Sequence, residues 1–330
     1  MYNNTVSRII DITNLDKKEK YNILTFPTHE RYETSLCKTG HEFYSLNIQN
    51  MKKWNSDQTP IPANYHILPE NQICDYLNYD FILVQSKFGQ FQLAKDINQQ
   101  LSLPIVCLEH TMPIPNVMDQ SQVQQMRSMS GDLNVFISNF SKKQWGMDGL
   151  VVHHGVDTNT FSQNDSVKND CVLTVANDFI NRDYCLNYSG WKRITNGMKT
   201  RLIGDTKDLS KPAKSVEDLV SEYNSCSVYF NSSTFSPIPT SLLEAMACGC
   251  AVVSTATCMI PEIIKNGENG FISNDESELR KYINDVLNDE SLRKSLGANA
   301  RQTIIDMFSE AGFINTWNNI FDKIYEESIL

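Results

Sequence analysis

The sequence predicts an α/β protein built from two doubly wound, Rossmann-like domains, and three observations lead there. With 330 residues the chain is about twice the usual length of one domain, so two separate cores are expected. Short apolar runs alternate with helix-length segments, the pattern of βα units on parallel sheets whose strands are buried on both faces. A polar stretch with neither period, Asp157-Thr-Asn-Thr-Phe-Ser-Gln-Asn-Asp-Ser-Val-Lys-Asn-Asp170, divides those runs into two groups.

In the first group the predicted strands are Tyr21 to Phe26, Phe43 to Ile48, Asp80 to Val84, Leu103 to Leu108, Asn134 to Ser138 and Gly149 to His153. The second group holds Cys171 to Ala176, Thr200 to Ile203, Ser227 to Asn231, Ala251 to Ser254 and Gly270 to Ile272. The boundary is expected between residues 160 and 170, giving domains of residues 1–160 and 161–312. Sheets of this kind bind ligands at the carboxyl ends of their strands, so tandem domains imply a crevice between them with a site drawing on both.

Composition narrows the function classes. A chain that is 41% hydrophobic and 21% charged is too apolar for general disorder. Its net charge of −10 supplies no field that would draw it to nucleic-acid phosphate or anionic lipid. The acidic excess is uneven: residues 1–160 carry 13 Lys and Arg against 16 Asp and Glu, yet hold all 6 histidines. The 9 cysteines contain no C-x-x-C, which argues for reduced, buried thiols rather than a disulfide framework or a zinc site. Residues 1–20 lack the apolar core of a signal peptide, and no apolar run reaches bilayer length. These features predict a cytoplasmic protein, with attachment at a membrane surface left open.

The stretch that carries chemistry runs from Ser232 to Thr255. A strand ends, a loop with two prolines turns, and a helix starts near Thr240 or Ser241 and stops at Gly249. Free N–H groups and the positive dipole end make such a start a seat for a diphosphate, with two hydroxyls beside it and Glu244 one turn deeper. Ser241-Leu-Leu-Glu244 also fits a capping box, in which the glutamate only satisfies the helix's own first N–H groups.

Taken with what flanks it, this stretch resembles the nucleotide-sugar site of the GT-B, family 4 retaining glycosyltransferases (glycosyl transferases group 1). Their pattern is Glu-x7-Glu, then Ala-Met-Ala-Cys-Gly, Pro-Val-Val, Pro-Glu and Asn-Gly-x-x-Gly. This chain has Glu244-Ala-Met-Ala-Cys-Gly249, Ala251-Val-Val, Pro261-Glu262 and Asn266-Gly-Glu-Asn-Gly270 at matching spacings. The likeness extends outward to Tyr223-Asn-Ser-Cys-Ser-Val-Tyr-Phe, to His154-Gly-Val-Asp157 and to Ile137-Ser-Asn-Phe-Ser141. It implies the GT-B fold, the two domains facing each other across the crevice, and a final helix, residues 313–330, packing back toward the first.

The resemblance also implies roles. Glu244 matches the glutamate that accepts hydrogen bonds from the nucleotide's ribose hydroxyls, a task suited to an acceptor-only group. Ser236 stands where the family has its first Glu, against the donor sugar, and is followed by Pro237-Ile238-Pro239 rather than a Gly-rich turn. Ile238, Pro239, Thr240 and Ser241 line the diphosphate side, where backbone N–H groups of Ile238, Thr240 and Ser241 serve and the prolines stiffen the loop. In the diphosphate-binding loop Asn177 replaces the family's Arg and Arg182 its Lys; surface pairing of Arg182 with Asp178 or Asp183 is the alternative. His110, at the end of Leu103-Pro-Ile-Val-Cys-Leu-Glu-His, matches a histidine that approaches donor sugar or acceptor, with Glu109 pointing to the other face.

Other features carry less. His29 and Glu30 follow the first strand and are read either as an acceptor contact or as a helix start with a solvated glutamate. His153 and His154 point oppositely along a strand and have no third ligand, so a metal site is discounted. Cys248-Gly-Cys250 reads as helix-end packing, and Tyr188, Trp191 and Trp145 as packing rather than sugar platforms. Lys52-Lys53 and Lys142-Lys143 leave a local basic groove open but read as solvated faces.

The expected function is transfer of a sugar from a nucleoside-diphosphate sugar to an acceptor bound by the first domain, with retention and without a metal or other cofactor. The acceptor class stays open among glycan, lipid, protein and modified nucleic-acid base. A binding module that has lost turnover through Ser236 is the alternative. A nicotinamide dehydrogenase is disfavoured because no G-x-G-x-x-G follows a strand.

Overall fold

A computed structural model describes residues 18–329, apart from 57–58, 75, 115–117, 165 and 167. The N-terminal stretch read for a leader lies outside the described residues up to residue 17, as do Asp165 and Val167 of the polar stretch. The chain divides into two units: the first ends at His153 and resumes at Ala311, and the second is His154–Glu310.

In the first unit, strands β1 (Asn22–Thr25), β2 (Glu42–Ser45), β3 (Tyr65–Ile67), β4 (Phe81–Val84), β5 (Ile105–Glu109), β6 (Leu133–Phe136) and β7 (Leu150–Val151) form one parallel sheet. Their order is β3-β2-β1-β4-β5-β6-β7. Helices α1 (Glu30–Cys37), α2 (Gln90–Leu101), α3 (Gln120–Ser128) and α4 (Asn139–Trp145) connect them. The predicted strands are recovered because central parallel strands are apolar on both faces, so Phe81, Ile82, Leu83 and Val84 are all buried. The edge strand β3 was not predicted. Of its three residues only Tyr65 is buried while Ile67 is 46% exposed, so no apolar run marks it.

The second unit repeats the plan with β8 (Asn169–Val175), β9 (Thr200–Ile203), β10 (Cys226–Asn231), β11 (Val252–Thr255) and β12 (Phe271–Ser273), in order β12-β11-β10-β8-β9. Its helices are α5 (Asp183–Leu186), α6 (Tyr188–Ile194), α7 (Val216–Ser225), α8 (Thr240–Ala247), α9 (Ile260–Ile263), α10 (Glu276–Asn288) and α11 (Glu290–Met307). Val172, Val228, Phe230 and Val253 of the sheet pack with Leu279, Ile283 and Val286 of α10.

Each sheet has a point where its winding reverses. In the first, the chain winds outward through β1, β2 and β3, then returns to β4 beside β1. In the second it goes from β8 to β9, then crosses back to β10 on the other side of β8. At such a point the loops leaving the two neighbouring strands run apart, opening a crevice at their carboxyl ends.

The change of unit at His153–His154 comes ahead of the boundary expected at 160–170. The polar stretch is laid onto the second unit by hydrogen bonds rather than apolar packing. Val156 N–H donates to Phe308 O (2.8 Å), the Arg301 guanidinium holds the carbonyls of Thr158 and Phe161 (both 3.0 Å), and Asn164 N–H donates to Asn224 Oδ1 (2.8 Å). The last helix, α12 (Glu310–Ile329), sits on the first unit. There Trp317 Nε1 donates to the Tyr32 hydroxyl (3.0 Å), Phe321 stacks on Phe81, and the Tyr21 hydroxyl donates to Asp322 Oδ1 (2.8 Å).

Helices α8 and α11 meet at a glycine. A Cβ at Gly297 would stand 2.2 Å from the carbonyl oxygen of Gly249, in the turn where α8 ends. Gly297→Ala is therefore expected to push the two helices apart and to destabilise the fold by ~1–3 kcal/mol, read as a lowered Tm. An unchanged Tm would contradict this close approach.

Candidate functional site

The reversal point of the second sheet gathers most of the predicted residues. Two loops leave it, Ala176–Arg182 after β8 and Ser232–Pro239 after β10, and they are sewn together. Thr234 and Phe235 N–H groups donate to Cys185 O (2.8 and 3.1 Å), and Ser232 Oγ donates to Leu186 O (2.8 Å). From the far side Thr255 and Thr257 hydroxyls both donate to Ser233 O. Arg182, at the start of α5, is thus tied through its own helix turn to the loop that carries Ser236.

Helix α8 starts at Thr240, as predicted, with Pro239 at the N-cap and no side-chain cap bond. The Leu242 and Leu243 N–H groups turn back to Pro239 O, whereas those of Ile238, Thr240 and Ser241 donate to no acceptor among the described residues. The capping box allowed by Ser241 and Glu244 is not formed by this serine. Ser241 Oγ instead donates to Val175 O (3.2 Å) and accepts the Tyr229 hydroxyl (2.9 Å). Of the two hydroxyls expected beside a diphosphate, Ser241's is committed to the sheet, and Thr240, which is exposed, keeps the other. Burial pushes the Tyr229 hydroxyl's pKa up, so it stays a donor.

Glu244 lies one turn inside α8, 6% exposed, and its Oε2 accepts the hydroxyl of Tyr223 (2.9 Å). Ser236 and Pro239 are half-buried and Ile238 is buried. Arg182 is exposed and makes no side-chain hydrogen bond or ion pair among the described residues. The surface pairing weighed against it is absent because both aspartates are otherwise engaged. Asp178 Oδ1 accepts Asn181 Nδ2 (2.6 Å), and Asp183 takes the amide and hydroxyl of Ser189 (2.7 and 2.8 Å), which hold its carboxyl below the usual range. Asn177 is exposed, and its Oδ1 accepts the Asp205 N–H (2.8 Å), fastening the β8 loop to the one after β9.

A second cluster forms at the reversal point of the first sheet. His110 follows β5, its ring 5.3 Å from that of His29 and edge-on to Tyr32 at 4.8 Å, with Nε2 3.3 Å from Gln85 Oε1. Gln85 Nε2 in turn donates to Glu33 Oε1 (3.0 Å). Glu33 is 1% exposed and also accepts the N–H groups of Thr28 and His29 and the Tyr65 hydroxyl. Burial raises its pKa although these four donors oppose the rise. Glu30 is the first residue of α1, but its side chain is 16% exposed and ion-paired rather than solvated. Burial works against its charge, but the Lys52 ammonium at 2.8 Å holds its carboxyl below the usual range.

Glu109 ends β5, and its partners differ from those of His110. It is buried, it accepts the Thr111 N–H and hydroxyl, and burial raises its pKa. The remaining sequence features fall to packing. Trp191 Nε1 donates to Thr174 Oγ1 with Tyr188 stacked on its ring, and Trp145 Nε1 donates to Thr111 O. Cys248 and Cys250 are buried at the end of α8, and all nine cysteines are free. Lys52 and Lys53 are in ion pairs with Glu30 and Glu70, and Lys142 Nζ donates to Gly149 O. No group of three or more His, Cys, Asp or Glu side chains fit to hold a metal occurs among the described residues, and none of their helices is long and apolar enough to cross a membrane.

Sequence reasoning missed Tyr223, Gln85, Glu33 and Tyr32 as parts of these clusters. Only Glu33 left a signal, four residues after the His29 that opens α1, where a glutamate reaches back to the first N–H groups of a helix.

Residues 196–303 match the family model described as glycosyl transferases group 1. N-acetyl-alpha-D-glucosaminyl L-malate synthase of Bacillus anthracis is 30% identical over 88 residues, which are 26% of this chain and 23% of that enzyme, so the match spans under a quarter of it. An uncharacterized glycosyltransferase of Methanocaldococcus jannaschii is 23% identical over 322 residues, covering 91% of this chain and 87% of the relative. Among solved structures, HepE of Anabaena in complex with UDP superposes with a TM-score of 0.72 at 16% identity, over 92% of this chain and all of that one.

The bridge from β10 through Ser241 to β8 yields a direct check. Ser241→Ala leaves the buried Tyr229 hydroxyl without its acceptor and is expected to cost ~1–3 kcal/mol. Adding Tyr229→Phe removes that orphan group, so the double variant should be no less stable than the single one. Additive losses in denaturant unfolding would show that the two hydroxyls do not work as a pair.

Proposed function

For a chain whose residues 196–303 belong to the glycosyl transferases group 1 family, on a GT-B fold, we propose transfer of a sugar from a nucleoside-diphosphate sugar to an acceptor, with retention of anomeric configuration. The observation that carries this reading is the start of α8, where the Thr240 and Ser241 amides have no acceptor among the described residues, one turn above a buried carboxylate, Glu244. Unpaired N–H groups and the helix dipole favour an anion, and a carboxylate beside that anion suits the two hydroxyls of a ribose. That the HepE complex contains UDP supports the choice of ligand class.

In this proposal the diphosphate rests on the amides of Ile238, Thr240 and Ser241, and Glu244 grips the pentose. Arg182 completes the seat, and because no described residue holds its guanidinium, it can swing onto two phosphate oxygens at once. Asn177 lies in the same loop at the position where the family carries its first cation. Ser236 faces the sugar, and Pro239, at the N-cap of α8, stiffens the diphosphate side. The bond from the anomeric carbon to the leaving phosphate oxygen breaks, and the acceptor oxygen bonds to the same face of that carbon. The acceptor's proton passes to the departing phosphate. Charge gathers on the diphosphate as it leaves, and the α8 terminus and Arg182 are the groups placed to stabilise it. The proposal therefore assigns no step to a resident metal, and turnover is expected to persist in excess chelator. His110 is assigned to the acceptor side, within the first unit.

A second reading, a nucleotide-sugar binder without turnover, is favoured by Ser236, which leaves the sugar without the family's first carboxylate. Incubating the protein with donor sugars separates the two. Release of nucleoside diphosphate on adding acceptors supports transfer, and binding without release supports the module. A screen of nucleoside diphosphates and their sugars by thermal shift locates the ligand first, since binding to the folded state alone raises Tm. If no nucleotide raised Tm, both readings would fall.

Loss of Arg182 removes a charge-assisted hydrogen bond of ~1.5–3 kcal/mol from the leaving group. Arg182→Ala is thus expected to slow turnover about 10- to 150-fold with little change in Tm, because the side chain is exposed and makes no hydrogen bond or ion pair among the described residues. An unchanged rate would remove Arg182 from the reaction.

A further inference from the structure

The group that fixes Glu244 comes from another element. Tyr223, in the last turn of α7, has no measurable exposure, and its hydroxyl donates to Glu244 Oε2 at 2.9 Å. We propose that Tyr223 is a positioning residue for nucleotide binding: it touches no ligand itself and holds the Glu244 carboxylate in the orientation that receives the ribose hydroxyls. This inference rests on the reading of Glu244 given above.

Two features make Tyr223 suited to the task. Its backbone is pinned, because the Tyr223 carbonyl accepts both the Cys226 and the Cys250 thiol, each at 3.2 Å. Its ring is pinned too, packed at 5.9 Å from Tyr229 and edge-on to Phe161 at 6.4 Å. The hydroxyl is therefore delivered at a fixed point in the interior.

The carboxylate it meets needs such a point. Glu244 has three side-chain torsions on a helix of only eight residues, and a flexible acceptor loses conformational freedom when it binds. Holding one oxygen in place beforehand removes part of that loss. The hydroxyl acts as a donor, so it meets the carboxylate as an acceptor, the role that two ribose hydroxyls also require of it. A phenylalanine at 223 would keep every ring contact and lose only the donor.

The test compares UDP with 2′,3′-dideoxy-UDP, which has the same base and diphosphate but lacks both hydroxyls, by calorimetry on the full chain. Wild-type protein should prefer UDP. Tyr223→Phe should weaken UDP by about tenfold, equivalent to ~1.4 kcal/mol, while leaving the dideoxy nucleotide within about twofold of wild type. In a Glu244→Ala background the same substitution should have no further effect on UDP.

Equal weakening of both nucleotides, or full retention of the preference for UDP, would overturn the positioning role. Wild-type protein that bound both nucleotides equally would instead contradict Glu244 as the ribose contact, a failure of the parent reading that shows before any variant is made.

Discussion

The structure turns on an unanswered demand for hydrogen-bond acceptors at one end of a short helix. Every helix starts with N–H groups that its own turns cannot satisfy, and most helices meet them with a capping side chain. Helix α8 does not: Pro239 has no acceptor on its side chain, and Ser241 turns its hydroxyl toward Val175 and Tyr229. The amides of Thr240 and Ser241 have no acceptor among the described residues, and they lie at the point where β8 and β10 send their loops apart. An anion is the chemical complement of that arrangement, and the surrounding residues follow from it. Glu244 lies one turn deeper, Arg182 is tethered through α5, and the loop between β10 and α8 is stitched down from both sides.

The first unit solves a related problem in a different way. Its corresponding loops are held by a buried carboxylate rather than left with open amides, and Glu33 takes up the N–H groups of Thr28 and His29 together with the Tyr65 hydroxyl and Gln85. That network fixes His110 against His29 and Tyr32. A buried carboxylate thus takes the two N–H groups just ahead of α1, whereas no carboxylate meets the amides that open α8 among the described residues.

Much of this was legible in the sequence. Strands buried on both faces write themselves as apolar runs, so β4, β5, β8 and β10 could be placed from Phe81, Val106, Val172 and Val228 without coordinates. Strand β3 could not, since an edge strand with Ile67 turned to solvent leaves no run. The division near residue 154 escaped for a similar reason: the polar stretch joins the second unit through Arg301, 140 and 143 positions from Phe161 and Thr158, and hydrogen bonds at that separation have no period. At the site, Glu244 stood out by its motif, yet Ser241-Leu-Leu-Glu244 spells a capping box just as well. Only the direction of the Ser241 hydroxyl excludes the capping box. The Tyr223–Glu244 bond, across 21 positions and two helices, is likewise a product of packing.

The central claim is that the start of α8 seats a diphosphate. The most direct measurement is a crystal structure of the protein grown with UDP or a UDP-sugar. The account predicts phosphate oxygens within hydrogen-bond distance of the Thr240 and Ser241 amides, with both ribose hydroxyls on the Glu244 carboxylate. A nucleotide bound elsewhere, with those amides turned to water and Glu244 distant from the ribose, would contradict it.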